Sequence, residues 1–152
     1  MILTDSLKLR ANVLIELIEV KTGKVVKSVK AHNLVTSLGL EAIGKRLALL
    51  MPPGTDEFAV GIGTTAAALS DTALGSEIYR EKVATAMPET SGAAFQYLLS
   101  AAVADGEELT EAGIFDVDGN LMARVVHADD PINKVAGYAV NYTWHFVFGN
   151  AT

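Results

Sequence analysis

The sequence contains no cysteine, which excludes disulfide bonds and thiolate metal sites. It has no run of about eighteen apolar residues, and its start lacks the apolar run of a cleaved signal peptide. Positive charge is scarce, with 12 lysines and arginines against 18 aspartates and glutamates and a formal net charge of -6. Nucleic acid and anionic membranes repel such a chain at long range. We therefore expect a soluble protein that is not exported by a cleaved signal, with neither nucleic acid nor membrane as a partner.

Apolar residues, in contrast, are abundant. Hydrophobic side chains make up 50% of the 152 residues and charged ones 20%. A chain of this size and composition can bury about two-thirds of its unfolded surface in one core. We predict a single domain over residues 11–152, preceded by a possible N-terminal arm at residues 1–10.

Residues 138–148 are the most informative stretch, because large apolar side chains alternate there with smaller or polar ones. The large ones are Tyr138, Val140, Tyr142, Trp144, Phe146 and Phe148. Successive side chains of a β-strand project to opposite faces, so all six share one face of a strand, whereas a helix would scatter them. They include five of the ten aromatic residues of the chain. We predict that this segment is the central core strand.

Two hairpins are predicted from turn signals between apolar runs. The first joins strands at residues 11–20 and 25–35, and the second joins strands at residues 111–117 and 121–127. Asp118 and Gly119 form the second turn, and this dipeptide is among the strongest short hairpin signals. Further strands are expected at residues 58–62, 77–87 and 93–104, with loops at residues 105–109 and 128–134.

One amphipathic helix is predicted near residues 37–51. Thr36 and Ser37 can cap its first turn, and two prolines and a glycine at residues 52–54 end it. Apolar residues recur at three- and four-residue steps, at Leu40, Ile43, Leu47 and Leu50. Seven or eight strands with one helix predict a mainly β fold, an antiparallel β-sandwich of jelly-roll-like type with the helix across a sheet.

The side chains that could carry chemistry form no recognisable catalytic or metal site. The three histidines, His32, His127 and His145, have no second ligand at a metal-binding interval, and we interpret them as solvent or interface residues. Three carboxylates, Glu107, Glu108 and Glu111, could form an acid–base pair, but no apolar neighbour in the sequence would raise a pKa. We interpret them as solvated, and we expect a protein that is not an enzyme and has no cofactor.

Two partial motifs are interpreted as turns. Residues 61–66 satisfy the loose form of the dinucleotide-binding fingerprint, but no helix of useful length follows to attract a pyrophosphate. Asp116, Asp118 and Asn120 match the first three ligand positions of a calcium loop, but the required glycine and glutamate are missing further on. A hairpin turn explains these three residues, and an adventitious surface cation site is the alternative.

Apolar residues on nominally outer faces predict contact with other chains. Both faces of residues 11–20 are largely apolar, and the small residues at 64–70 could let another chain approach closely. The candidate oligomer or partner interface consists of Leu14, Ile18, Val20, Ala66, Ala67, Ala68 and Val147.

Three fragments of the chain resemble a known family when they are taken together. They are the residues HNLVT at 32–36 before the helix, FAVGIGTTAAALSDTALGSEIYREKV at 58–83, and LTEAGIFDVDGNLMARVV at 109–126, followed by YTW in the last strand. In this order the chain resembles tailed-bacteriophage and prophage virion proteins over roughly residues 30–148. The resemblance implies a non-enzymatic structural module found in tail fibres, baseplate parts and similar virion components, and it supplies no catalytic residue.

A short, acidic, β-rich phage protein is also typical of head decoration (cement) proteins, which are commonly small β-sandwiches bound as trimers to the outside of the head. We expect a homotrimer that binds the assembled head through the major capsid protein. The alternative is a tail fibre or baseplate adaptor bound to other tail proteins. A small carbohydrate-binding or hydrolytic domain is the alternative from another class. The expected location is the virion, after synthesis in the cytoplasm of the bacterial host.

Overall fold

The computed structural model describes residues 7–47, 55–82 and 85–150, which form twelve strands and one helix. In chain order the elements are β1 (Leu7–Glu19), β2 (Lys24–His32), β3 (Leu34–Val35), α1 (Ser37–Leu47), β4 (Thr55–Gly61), β5 (Glu77–Lys82), β6 (Thr85–Glu89), β7 (Gly92–Leu99), β8 (Glu108–Leu109), β9 (Glu111–Asp116), β10 (Leu121–Val126), β11 (Ile132–Asn133) and β12 (Tyr138–Asn150). No helix within these ranges is long and apolar enough to cross a membrane.

The strands form two five-stranded antiparallel sheets that pack face to face. Sheet A has the order β2-β1-β12-β7-β6, sheet B has the order β3-β10-β9-β4-β5, and β11 pairs with β8 in a small ribbon. The predicted mainly β sandwich with one helix is confirmed. The sequence leaves the strand order open. The hairpins β1–β2, β6–β7 and β9–β10 each stay within one sheet, whereas the central strand β12 pairs with two strands that are distant in the sequence. The likeness to a jelly roll is therefore limited to the two packed sheets.

Strand β12 is the centre of sheet A, and the prediction of a core strand there is confirmed. It pairs along its whole length with β1 and along eight residues with β7. The rings of Tyr142 and Trp144 are buried against Phe58 of sheet B, at centroid distances of 4.9 and 5.5 Å. Phe58 also stacks on Tyr97 of β7 at 4.2 Å. This aromatic cluster joins the two sheets, and burial of its rings is a main source of stability.

Helix α1 begins where the sequence predicts. Thr36 Oγ1 accepts a hydrogen bond from the amide of Gly39 at 3.1 Å, and the Ser37 amide donates to the carbonyl of Leu69 at 2.9 Å. These two bonds satisfy amides that a helix start leaves unpaired. The predicted end of the helix, residues 48–51, lies outside the described residues.

Three predicted strands differ from the observed ones. The single strand expected at residues 77–87 is two strands, β5 in sheet B and β6 in sheet A. The predicted end at residue 87 is wrong, because β6 continues through Pro88 to Glu89. It is an edge strand, where a proline without an N–H is tolerated. The return strand expected at residues 25–35 divides at Asn33 and changes sheet. The strand expected at residues 93–104 ends at Leu99, before a turn in which Ala104 has a φ of 57°.

The start of the chain and two loops also contain more strand than expected. Residues 7–10 of the possible N-terminal arm belong to β1 and pair with β12, whereas residues 1–6 lie outside the described residues. The loops expected at residues 105–109 and 128–134 contribute β8 and β11, which pair with each other. Such two-residue strands depend on a partner that is distant in the sequence, so local patterns do not predict them.

Candidate functional site

The carboxylate of Glu111 organises the loop between β4 and β5. Glu111 begins β9, and its side chain is completely buried. It accepts hydrogen bonds from the backbone amides of Gly63, Gly75 and Ser76 at 2.9, 2.9 and 2.6 Å. One side chain therefore holds both ends of the loop at residues 62–76.

Arg124 neutralises this carboxylate and extends the network to the middle of the loop. It lies in β10 and is 2% exposed. Its Nε and Nη2 donate to Glu111 Oε2 at 3.0 and 2.8 Å, and its Nη1 donates to Asp71 at 2.7 Å. Nη2 also donates to the carbonyl oxygen of Thr65 at 3.0 Å. The guanidinium therefore connects the two-stranded hairpin β9–β10 to the loop.

Both carboxylates of the network are held in the charged form. Burial raises the pKa of Glu111, but the amides of Ser76 and Gly75 and the guanidinium of Arg124 outweigh burial, so the pKa lies below its usual value. The pKa of Asp71 is lowered by the backbone amide of Ala68 and by Arg124. At neutral pH the network therefore contains two negative charges and one positive charge.

Three glycines leave the space that the network needs. A Cβ added at Gly61 or Gly63 would lie 2.6 or 2.3 Å from Glu111 Oε1, and one at Gly75 would lie 3.1 Å from Arg124 Nη2. At Gly61 and Gly63 such an atom would displace the buried carboxylate. Close approach of this side chain explains Gly63. At Gly61 the carbonyl oxygen of Ser76, 2.4 Å from an added Cβ, also requires a glycine.

The amides of the glycine turn bind the carboxylate of Glu111, an anion of the chain itself. In the dinucleotide-binding fingerprint, glycine-turn amides and a helix N-terminus face a pyrophosphate. Here the described residues that follow Gly63 form a loop and then β5, and the amides of the loop face Glu111. The structure thus agrees with the interpretation of residues 61–66 as a turn between strands.

The interpretation of Glu111 as a solvated carboxylate is wrong, whereas Glu107 and Glu108 are exposed as expected. The partner that permits burial is Arg124, 13 residues away across the predicted hairpin. Glu111 faces Val126 in the register and Arg124 faces Gly113, so the two charged side chains are diagonal neighbours on one face. The opposite charges at this hairpin separation are the signal that could have predicted the pair.

Two tyrosines and Glu81 form a second link that the sequence does not reveal. The hydroxyls of Tyr79 in β5 and Tyr97 in β7 both donate to Glu81 Oε2 at 2.8 Å. Burial and the Glu81 carboxylate raise the pKa of Tyr97. Because β5 and β7 belong to different sheets, this carboxylate joins the two layers.

Asp116, Asp118 and Asn120 lie at the turn of the second hairpin. Asp116 is 3% exposed, and its Oδ1 accepts from the amides of Asp118 and Asn120 at 3.0 and 2.8 Å. Its Oδ2 accepts from the Asn120 side chain at 3.1 Å, and Gly119 has a φ of 81°. The carboxylate thus shapes the turn, and the interpretation as a hairpin turn is confirmed.

The three histidines have different environments. His32 is exposed and His145 is half-buried on the outer face of sheet A. His127 is 5% exposed, so it is not a solvent residue, and its burial lowers its pKa. The described part of the chain contains no group of three or more histidine or carboxylate side chains placed to hold a metal ion.

The predicted interface residues fall into two groups. Leu14, Ile18 and Val147 lie on the outer face of sheet A, and Val147 is 40% exposed. Val20, just after β1, is 56% exposed. The remaining three residues, Ala66, Ala67 and Ala68, are exposed or half-buried in the loop held by Glu111. The depression that contains Leu14 and the one that contains the first two alanines share His32, so the two surfaces meet there.

Comparison with protein-family models, with curated proteins and with solved structures finds no match to this chain.

Proposed function

We propose that this chain is a non-enzymatic structural protein of a bacteriophage virion, bound as an oligomer to the assembled head. The observation that carries the proposal is the network of Glu111, Arg124 and Asp71. These residues and the glycines around them come from two of the fragments that resemble phage virion proteins, at residues 58–83 and 109–126. The two fragments thus supply the residues of one buried network, and this network fixes the shape of a surface loop.

A fixed loop suits a protein whose role is contact. The buried ion pair lies beneath residues 62–76, and Gly63 and Gly75 of the loop pack against it. The loop therefore has a defined shape before any partner binds. Pre-organisation of this kind lowers the entropy lost on binding. Leu69 of the loop is 55% exposed, and Leu98 on the outer face of sheet A is 52% exposed. Both surfaces offer apolar contact area to other chains.

Mass action explains how such contacts would stabilise a head. A protein that binds only the assembled lattice stabilises it by the free energy of binding at each site. We propose the major capsid protein as the partner and a homotrimer as the bound form. The interface residues Val147 on sheet A and Ala66 to Ala68 in the loop are the candidate contacts.

A direct test is to mix the purified protein with undecorated heads and, separately, with tails of the parent phage, and to image both by electron microscopy. Regular density on the heads is the expected result. Density on the tails alone would replace the head assignment with a tail fibre or baseplate role. Density on neither would overturn the virion proposal. In solution, analytical ultracentrifugation should give three times the chain mass of 16.0 kDa at micromolar concentration.

The carbohydrate-binding or hydrolytic alternative loses its main feature. It required the aromatic side chains of residues 138–148 to line an open cleft. In the structure Tyr142 and Trp144 are completely buried against Phe58. No specific observation favours that function.

A further inference from the structure

We propose that the open edge of β1 at residues 7–10 binds an extended segment of a partner protein in which acidic and small apolar side chains alternate. The inference rests on backbone geometry and charge and does not depend on the proposed function. Strand β1 pairs with β12 from Leu7 onward, but its pairing with β2 begins only at Asn12. The chain leaves sheet A after β2 to form β3 in sheet B. No described strand therefore pairs with residues 7–11 on that side.

The backbone groups on this edge have the direction that strand addition requires. The amide of Val20 donates to the carbonyl of Gly137, and this pair continues the register of β1 with β12. Hydrogen-bonded and non-hydrogen-bonded pairs alternate along an antiparallel pair of strands, so the even-numbered residues of β1 exchange hydrogen bonds with β12. The odd-numbered residues Leu7 and Leu9 then direct their N–H and C=O groups to the open side. Ala11 supports this assignment, because the side-chain amide of Asn33 can donate to its carbonyl oxygen at 2.7 Å.

A depression of about 460 Å³ lies beside this edge, lined by Leu9, Arg10, Ala11, Asn12, His32 and Asn33. Leu9 and Ala11 face the core side of sheet A, whereas Arg10 and Asn12 face the outer side. An added strand would therefore place alternate side chains next to apolar and next to basic neighbours. In the preferred segment, the side chains on the core side are therefore small and apolar, and those on the outer side, near Arg10, are acidic.

Charge favours an acidic partner over a second copy of the same edge. Residues 7–32 contain six lysines and arginines but only two glutamates, although the whole chain has a net charge of -6. Exposed Arg10, Lys30 and His32 all lie near the open edge. Two copies paired through this edge would bring like charges together, which is destabilising. Lysines on β2 protect the outer edge of β2 from pairing, but they do not cover residues 7–10 of β1.

Fluorescence anisotropy with a labelled, end-capped Glu-Val-Glu-Val-Glu-Val peptide tests the proposal on the full chain. We expect saturable binding that weakens with salt, and about tenfold weaker binding of the corresponding Lys-Val peptide. Arg10→Glu should weaken binding of the acidic peptide about fivefold. Lys24→Glu makes the same charge change at the far end of β2 and should alter binding less than about twofold. Equal effects of the two variants would overturn the proposal, as would no binding at about 1 mM peptide.

Hydrogen exchange gives a readout that general electrostatic attraction would not change. Peptide binding should slow exchange of the Leu9 amide, which faces the open edge, about tenfold or more. The amide of Arg10 already faces β12 and should change little. Unchanged exchange at Leu9 would refute strand addition. Protection of Leu9 that rises with protein concentration without peptide would instead identify a second copy as the occupant and overturn the acidic-segment proposal.

Discussion

Replacement of Glu111 by glutamine tests whether the buried network stabilises the fold. The change keeps the size of the side chain but removes the charge that faces Arg124. It also leaves one oxygen for the three amides that the carboxylate now accepts, those of Gly63, Gly75 and Ser76. Removal of one partner of a buried ion pair costs about 3–5 kcal/mol. Asp71 still partly compensates Arg124, so we expect a loss near the lower limit, about 3 kcal/mol.

Urea unfolding at pH 7, followed by the fluorescence of Trp144, measures this loss. Trp144 is the only tryptophan of the chain and is buried in the core. Glu108→Gln is the matched control, because Glu108 is exposed only three residues earlier, and it should change the free energy of unfolding by less than about 0.5 kcal/mol. Equal stability of the two variants would refute the role of the network.

The pH dependence of the same measurement tests the charge directly. The pKa of Glu111 in the folded protein lies below its usual value of 4.5. A lowered folded-state pKa contributes stability above pH 4.5 that is lost as the pH falls through the folded-state value. The stability difference between wild type and Glu111→Gln should therefore narrow as the pH falls below 4.5. A difference that stays constant down to pH 3 would show that the ionised carboxylate contributes nothing.

Other substitutions test the packing around the network and the core. Gly63→Ala should cost about 1–3 kcal/mol in chemical unfolding, because its Cβ would lie 2.3 Å from Glu111 Oε1. In a Glu111→Ala background the cost of Gly63→Ala should fall, because the carboxylate is gone. The cost of Gly119→Ala comes from a φ of 81° and should stay the same in that background. An unchanged cost at Gly63 would contradict a collision between its Cβ and the Glu111 carboxylate. Phe58→Ala should lower the free energy of unfolding by about 3–5 kcal/mol, because Phe58 is buried in the core. Leu98→Ala, at an exposed position, should lower it by less than about 0.5 kcal/mol. Similar losses in the two variants would argue against the central position of Phe58.

Local patterns in the sequence determine much of the fold. The alternation in residues 138–148 fixes the buried face of β12, because side chains of a strand alternate between its faces. The cap at Thr36 and the turn at Asp118 and Gly119 likewise depend on residues within a few positions of one another. These features could be predicted because their physical causes are local.

The tertiary structure alone decides the sheet order, the division of residues 77–87 between two sheets, and the burial of Glu111. A strand pattern indicates which side chains share a face, but it does not say which distant strand will pair with it. A glutamate is stable in the core only when a cation and hydrogen-bond donors reach it. Arg124 comes from the next strand and the donating amides from a loop 35 to 48 residues earlier. The sequence contains all these groups, but only folding brings them to one carboxylate.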